Sequence, residues 1–191
     1  MSYLMNFVGV IVQLIFGFLI FLVLGRFILQ AVRADFYNPI SQMFIRITDP
    51  ILRPLRRIIP GLFGIDMAAI VLLLILQGIE LVVMHLIRGM GLHNPLLFFL
   101  EMIGSLISHG AMLFQICIII VVISSWISPS AYQHPLVRVA SQISAPLLRP
   151  ARKILPPIGG MDFSPILALI FVFAIMFLVA APLIDLPHRH Y

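Results

Sequence analysis

Charged residues and cysteines are scarce in this chain of 191 residues. Only 10% of the residues are Asp, Glu, Lys or Arg, whereas a soluble globular domain carries about 25%. The 62% of hydrophobic residues and the mean hydropathy of +1.15 exclude a soluble fold and a disordered chain. The one cysteine, Cys117, excludes a disulfide framework and a cysteine-based zinc site. The composition therefore indicates a chain embedded in a membrane.

Long apolar segments predict an all-α membrane protein with four transmembrane helices. A spanning helix needs about 20 apolar residues, and residues 7–28, 67–87 and 163–184 each supply them. The segment 96–127 is ambiguous, because one helix of that size would reach about 48 Å, past a hydrocarbon core of about 30 Å. It is either strongly tilted or divided. We expect a lead-in helix that bends near Gly104 or Gly110 before the third span, with five spans as the alternative.

The chain contains an internal repeat. A shift of 96 positions aligns its two long connections without a gap. The matching pairs include Pro39 and Pro135, Pro50 and Pro146, Arg56 and Arg152, and Asp66 and Asp162. The alignment predicts two parallel repeats, 1–95 and 96–191, related by an axis along the membrane normal. Each repeat would consist of a span, a long connection and a second span.

The two long connections also hold most of the cations. Short loops rich in Lys and Arg stay on the cytoplasmic side of a membrane. We therefore expect both connections to be cytoplasmic and both chain termini to be periplasmic.

Each connection has the pattern of an amphipathic hairpin that lies in the membrane interface. The residue before a proline is disfavoured in a helix, so we expect two helical pieces with a break before Pro50 and before Pro146. The cations of the second pieces would contact the anionic lipids of the inner leaflet or a partner. They are Arg53, Arg56, Arg57, Arg149, Arg152 and Lys153.

Two aspartates, Asp66 and Asp162, precede the second and fourth spans. An aspartate at this position accepts hydrogen bonds from free amides and complements the helix dipole. We expect both residues to cap these helices, with pairing to an arginine of the connection as the alternative.

Polar side chains inside the spans form a third candidate site. Ionisable groups within a membrane are costly and indicate function. Counting along the helices places Glu80 and Glu101 at the same depth, about 9 Å below the outer boundary. Together with Gln77, one turn away, they could share a proton or bind a cation. The alternative is that each glutamate is neutral or lies at the outer interface.

Three sequence blocks stand out in and after the connections: residues 49–60 (DPILRPLRRIIP), 146–150 (PLLRP) and 160–165 (GMDFSP). Through these blocks the chain resembles the YggT family of small bacterial inner-membrane proteins, in its two-repeat form. It implies an integral membrane protein linked to osmotic or extracytoplasmic stress, with relatives implicated in cell division and in cytochrome b6 haem attachment. The first repeat departs from the family pattern at Asp66-Met67-Ala68-Ala69, which predicts that it is the less functional half.

Taken together, the residues and the resemblance predict a non-enzymatic membrane organiser or assembly factor that acts in osmotic or extracytoplasmic stress. Its partners would be anionic lipids and either another membrane protein or a second copy of the chain, and not nucleic acid. We expect no catalytic residue, no cofactor and no metal. The alternative function is a cation or osmolyte transporter or channel that uses Gln77, Glu80 and Glu101.

Overall fold

The computed structural model describes residues 3–62, 64–91, 94–127, 132–156 and 162–186. Its helices, in chain order, are α1 (Tyr3–Ala31), α2 (Pro39–Ile58), α3 (Met67–Arg88), α4 (Pro95–Ile127), α5 (Pro135–Ile154), α6 (Ser164–Ile175) and α7 (Ala181–Asp185). A π-helical turn, Met176–Ala180, joins α6 to α7, so this last part of the chain is one continuous helical rod. Gly160 and Met161, which belong to the family-like motif, lie outside the described residues.

Among the described residues, four helical segments are long and apolar enough to cross a membrane. They are Tyr3–Ala31, Met67–Arg88, Pro95–Ser125 and Ser164–Asp185. The shorter two have 22 residues, which at 1.5 Å per residue gives about 33 Å, enough for a hydrocarbon core of about 30 Å. For the described residues, the prediction of a helical fold with four helices able to span a membrane is confirmed.

The predicted break in the third span is wrong, because α4 continues through Gly104 and Gly110 without interruption. Gly104 does not bend α4 but allows it to pack closely against another helix. A Cβ atom there would lie 2.8 Å from the Cβ of Leu183 and 3.0 Å from the carbonyl oxygen of Ala180. The missing side chain therefore lets α4 approach the backbone of the last helical rod.

The two-piece hairpins are also wrong, since each connection is one continuous helix of 20 residues. Pro50 and Pro54 lie inside α2, and Pro146 and Pro150 lie inside α5. A proline removes the hydrogen bond to the carbonyl four residues earlier.

The exposure pattern of α2 explains why its helix tolerates both prolines. The carbonyls left without a helical partner belong to Arg46 and Pro50, which are exposed together with Pro54. Water or lipid headgroups can satisfy carbonyls on that side. The opposite face remains regular and buries Phe44 and Leu52 against the bundle.

Buried apolar residues from both halves form a single cluster. Its members include Ile20 of α1, Leu52 of α2, Ile118 of α4, Ile143 of α5 and Val172 of α6. Helix α1 packs along α3, and α4 packs against α5 and the last rod. The two halves therefore share one core.

The connecting helices α2 and α5 meet at their beginnings. The side-chain amide of Asn38 donates to the carbonyl of Pro135 at 3.0 Å, and the Arg138 guanidinium lies 3.2 Å from the Asp35 carboxylate. The backbone N–H of Asp35 donates to the side-chain oxygen of Gln142 at 3.0 Å. These contacts place both connections at the same end of the bundle.

Replacing Gly104 by alanine should destabilise the fold by about 1–3 kcal/mol, because the added methyl group overlaps Leu183 and the Ala180 backbone. Gly110→Ala is the matched control in the same helix, since its Cβ would lie 4.0 Å from the nearest atom, on Leu24. Thermal unfolding in detergent micelles measures both variants. Equal midpoints for the two would show that α4 does not approach the rod this closely.

Candidate functional site

The structure divides the six predicted contact cations into two groups. Arg53, Arg56 and Arg152 form ion pairs with aspartates of the chain. The other three, Arg57, Arg149 and Lys153, are exposed. No ion pair involves these three among the described residues, so within the predicted set of six they are the ones available to an external anion.

One ion pair recurs at the same place in both halves. Arg56 Nε lies 3.1 Å from Asp66 Oδ2, and Arg152 Nε lies 2.9 Å from Asp162 Oδ2. Each pair joins a connecting helix to the start of the following span. The arginine pairing that the sequence left as an alternative is therefore present in both copies.

The same aspartates also accept hydrogen bonds at the helix starts. Asp66 is the N-cap of α3, and its Oδ1 accepts from the backbone N–H of Ala69 at 3.2 Å. Asp162 is not the N-cap of α6, because that helix begins one residue later and Phe163 occupies the position. Its Oδ1 nevertheless accepts from the N–H of Ser164 at 3.0 Å.

Burial alone would raise the pKa of Asp162, but the hydrogen bonds from Ser164 and Arg152, together with the Arg152 charge, outweigh it. The net pKa of Asp162 lies below its ordinary value, so the pair is ionised at neutral pH.

A buried cation, Arg26, approaches α2 from the membrane-spanning helix α1. Its Nη1 lies 2.5 Å from Asp49 Oδ1 and donates to the carbonyl of Ile45 and to Thr48 Oγ1, both at 3.1 Å. Burial would raise the pKa of Asp49, but hydrogen bonds and charges from Arg26 and Arg53 lower it overall.

Sequence reasoning did not single out Arg26 and missed this pair. A comparison of the two repeats could have revealed the Arg26–Asp49 pair. A shift of 96 positions places Val122 and Ala145 opposite Arg26 and Asp49. A cation and an anion that are both replaced by apolar residues in the other copy indicate a contact between them.

The predicted polar residues inside the spans come together around one cavity of about 320 Å³. Gln77, Glu80 and Glu101 all line it and are all buried. The other polar residues of its wall are Gln13, His85, Arg88, Ser105, Ser108 and His109. The cavity lies between α1, α3, α4 and α7.

Hydrogen bonds order the wall of this polar cavity. Gln77 Nε2 donates to Glu80 Oε2 at 2.9 Å, and His85 Nε2 lies 3.7 Å from Glu101 Oε2. Gln77 is 1% exposed, and its Oε1 has no hydrogen-bond partner among the residues that the structure describes. The two glutamates thus each face a polar partner on the cavity wall.

Sequence reasoning did not place His85 or His109 at this site. The signal was available for His85, because Gln77, Glu80, Leu81, Met84, His85 and Arg88 follow the spacing of one helical stripe. Within the described part of the chain, no group of three or more His, Cys, Asp or Glu residues could hold a metal ion. The mixture of carboxylates, amides and hydroxyls suits a small polar or cationic solute.

The helices and the repeated ion pair define a multi-pass membrane protein built from a duplicated unit. A model of the CCB3/YggT family matches residues 5–87 and 100–183, one match in each half. The chain belongs to this family.

Three similar proteins are described as uncharacterized. The protein PA0392 of Pseudomonas aeruginosa is 44% identical over 161 residues, which cover 83% of this chain and 80% of that protein. A Vibrio alginolyticus protein is 36% identical, covering 84% of this chain and 86% of its own length. The YggT protein of Escherichia coli is 34% identical over 78% of this chain and 77% of its length. No solved structure matches the chain.

Replacing Arg26 by valine should destabilise the fold by about 3 kcal/mol, because Asp49 keeps a largely buried charge without its main partner. Adding Asp49→Ala copies the residues of the second repeat and should recover most of this loss. Denaturation in detergent measures the double-mutant cycle, and additive effects of the two changes would contradict the pair.

The contribution of this pair should depend on pH. Because folding lowers the pKa of Asp49, the pair stabilises the fold above about pH 4, and this stability is lost as the pH falls through the lowered pKa. The stability difference between wild type and Arg26→Val should therefore shrink as the pH falls towards and below about 4.

Proposed function

We propose that this protein is a non-enzymatic organiser or assembly factor of the bacterial inner membrane, which binds anionic lipids of the inner leaflet through α2 and α5. The observation that carries the proposal is the surface of these two helices. Each one exposes unpaired cations directly beside large apolar side chains.

On α2, Arg57 is exposed and lies next to Ile58, which is 78% exposed. Ile51, which is also exposed, lies on a neighbouring face of the same helix. On α5, Lys153 is exposed next to Ile154, which is 73% exposed. A helix with this surface lies in the membrane interface, with its apolar side chains in the acyl boundary and its cations among the phosphates. Each such cation is worth about 1 kcal/mol near an anionic leaflet.

The packing supports a joint role for the two helices. Their beginnings are hydrogen-bonded to each other through Asn38 and Pro135, and the repeated Arg–Asp pairs attach their ends to the next spans. Arg57, Arg149 and Lys153, which form no ion pair among the described residues, therefore lie on two helices that are held to the same bundle. We name these three residues the lipid platform.

The side of the membrane follows from the charge distribution. Since loops rich in Arg stay in the cytoplasm, the lipid platform would face the inner leaflet, and both termini would be periplasmic. The resemblance to the YggT family supports a role in osmotic or extracytoplasmic stress. A second copy of the chain or another membrane protein would be the partner that is organised.

Replacing the three residues of the lipid platform by glutamine should reduce the preference of the protein for phosphatidylglycerol over phosphatidylcholine at least about fivefold, because three surface cations are lost. Electron spin resonance of spin-labelled lipids around the reconstituted protein measures this preference. The matched control replaces Arg57 and Arg149 by lysine, which keeps both charges. An unchanged preference in the glutamine variant would refute the proposal.

A second candidate function is transport of a small cation or osmolyte through the polar cavity. It is favoured by the adjacent cavity of about 490 Å³, which shares Gln13, Met84 and Arg88 with the polar cavity and reaches Met5 and Asn6 near the N-terminus. A solute could enter between α1 and α3 and meet Glu80 inside the membrane.

If the protein transports cations, liposomes that contain it should show an ion flux that Glu80→Gln lowers at least about tenfold, because the buried carboxylate is the binding group. A dye for potassium or sodium inside the liposomes measures the flux. Asp185→Asn is the control, since it removes an exposed carboxylate that does not line the cavity. A flux that is absent, or equal in both variants, would count against transport.

A further inference from the structure

A small cavity of about 210 Å³ lies between α1 and α2, at the end of the bundle where the connections meet. It is separate from the polar cavity and from the lipid platform. Its polar wall consists of Arg26, Gln30, Ser41 and Arg56, and it is closed by Leu29, Phe36 and Ile45.

The charged groups that the described residues contribute to this wall are two cations, Arg26 and Arg56. Asp49 and Asp66, the partners of the two arginines, do not line the cavity. Among the described residues, every contact of Arg26 uses Nη1, which leaves Nε and Nη2 as further donors. Arg56 binds Asp66 through Nε and Nη2, which leaves Nη1.

A buried hydroxyl group completes this donor set. Ser41 is 1% exposed, and its Oγ has no hydrogen-bond partner within the described part of the chain. A buried polar atom without a partner costs free energy and requires an explanation. A ligand in the cavity would supply the missing hydrogen bond.

We propose that this cavity binds a phosphate group. Guanidinium groups match phosphate oxygens with parallel hydrogen bonds, and two of them with a hydroxyl surround a tetrahedral anion. The volume holds a phosphate group and no acyl chain, so a bound lipid would leave its tails outside. The source is either a phospholipid headgroup or free inorganic phosphate.

The depth of Arg26 fits a headgroup. It stands five positions before the end of α1 at Ala31, which is about 8 Å along the helix axis. A helix of 29 residues, about 43 Å long, matches a bilayer of about 40–45 Å with its headgroups. Arg26 therefore lies near the level where lipid phosphates meet the hydrocarbon. The phosphate site and the lipid platform would face the same leaflet but share no residue. The phosphate site can therefore be tested even if the lipid platform does not bind lipids.

The second repeat lacks this site. A shift of 96 positions places Val122, Trp126 and Val137 opposite Arg26, Gln30 and Ser41, whereas Arg152 still stands opposite Arg56. The phosphate site belongs to the first repeat alone, and the chain therefore provides its own control.

Native mass spectrometry of the full chain in mild detergent tests the site with phosphatidylglycerol, diacylglycerol and inorganic phosphate as probes. The variants are Ser41→Ala and Arg56→Gln, and the matched control is Arg152→Gln, which breaks the equivalent ion pair outside the cavity. Each is made in the wild-type chain and in a chain whose lipid platform carries glutamine. In the chain with the glutamine substitutions, the lipid platform no longer binds lipid, so any phosphatidylglycerol that remains is held by the cavity. The two proposals can therefore be tested separately.

We expect one tightly held phosphatidylglycerol per chain in wild type and in Arg152→Gln. Binding should weaken at least about tenfold in Arg56→Gln and several-fold in Ser41→Ala, because each loses a hydrogen bond to a charged ligand. Ser41→Ala should not lower the unfolding temperature, since its hydroxyl has no partner to lose.

If millimolar inorganic phosphate competes with the lipid, the site binds the free anion. If it does not compete, the site binds the lipid headgroup. Either result supports a phosphate site. Equal weakening by Arg56→Gln and Arg152→Gln, or equal binding of diacylglycerol, which has no phosphate, would overturn the proposal.

Discussion

The pairing of an arginine near the end of each connecting helix with an aspartate at the start of the next span positions the rest of the structure. Arg56 with Asp66 and Arg152 with Asp162 fix where α2 and α5 end relative to the spans. Because each aspartate also accepts a backbone N–H at the helix start, one carboxylate stabilises two elements at once. The neighbouring cations, Arg57 and Lys153, are exposed at the surface.

The two halves keep this scaffold and differ in what surrounds it. The first repeat buries Arg26 against Asp49 and forms a cationic cavity, whereas the second has Val122 and Ala145 at these positions. The departures of the first repeat from the family pattern predicted the less functional half. The proposed phosphate site gives the first repeat a role of its own, because only that repeat carries the residues of the site.

Much of the fold could be predicted because the membrane imposes simple rules on length and charge. Four apolar segments gave four spans, and buried Glu80 and Glu101 were recognisable as costly groups that converge on one cavity. Helix continuity could not be predicted, because it depends on packing. Pro50 is tolerated on an exposed face, and Gly104 serves a contact with a distant helix. The Arg26–Asp49 pair likewise required knowing that α1 packs on α2.

The apolar core between the polar cavity and the proposed phosphate cavity favours the organising role over transport. Glu80 lines a cavity on one side of the bundle and Arg26 lines another at the end where α2 and α5 meet. Among the described residues, Ile20, Leu113 and Ile118 lie fully buried in the shared core. A solute crossing within one copy would have to separate these side chains, at a cost of about 1.5–3 kcal/mol for each one exposed. Binding lipids at the surface requires no such opening, because the platform is already exposed.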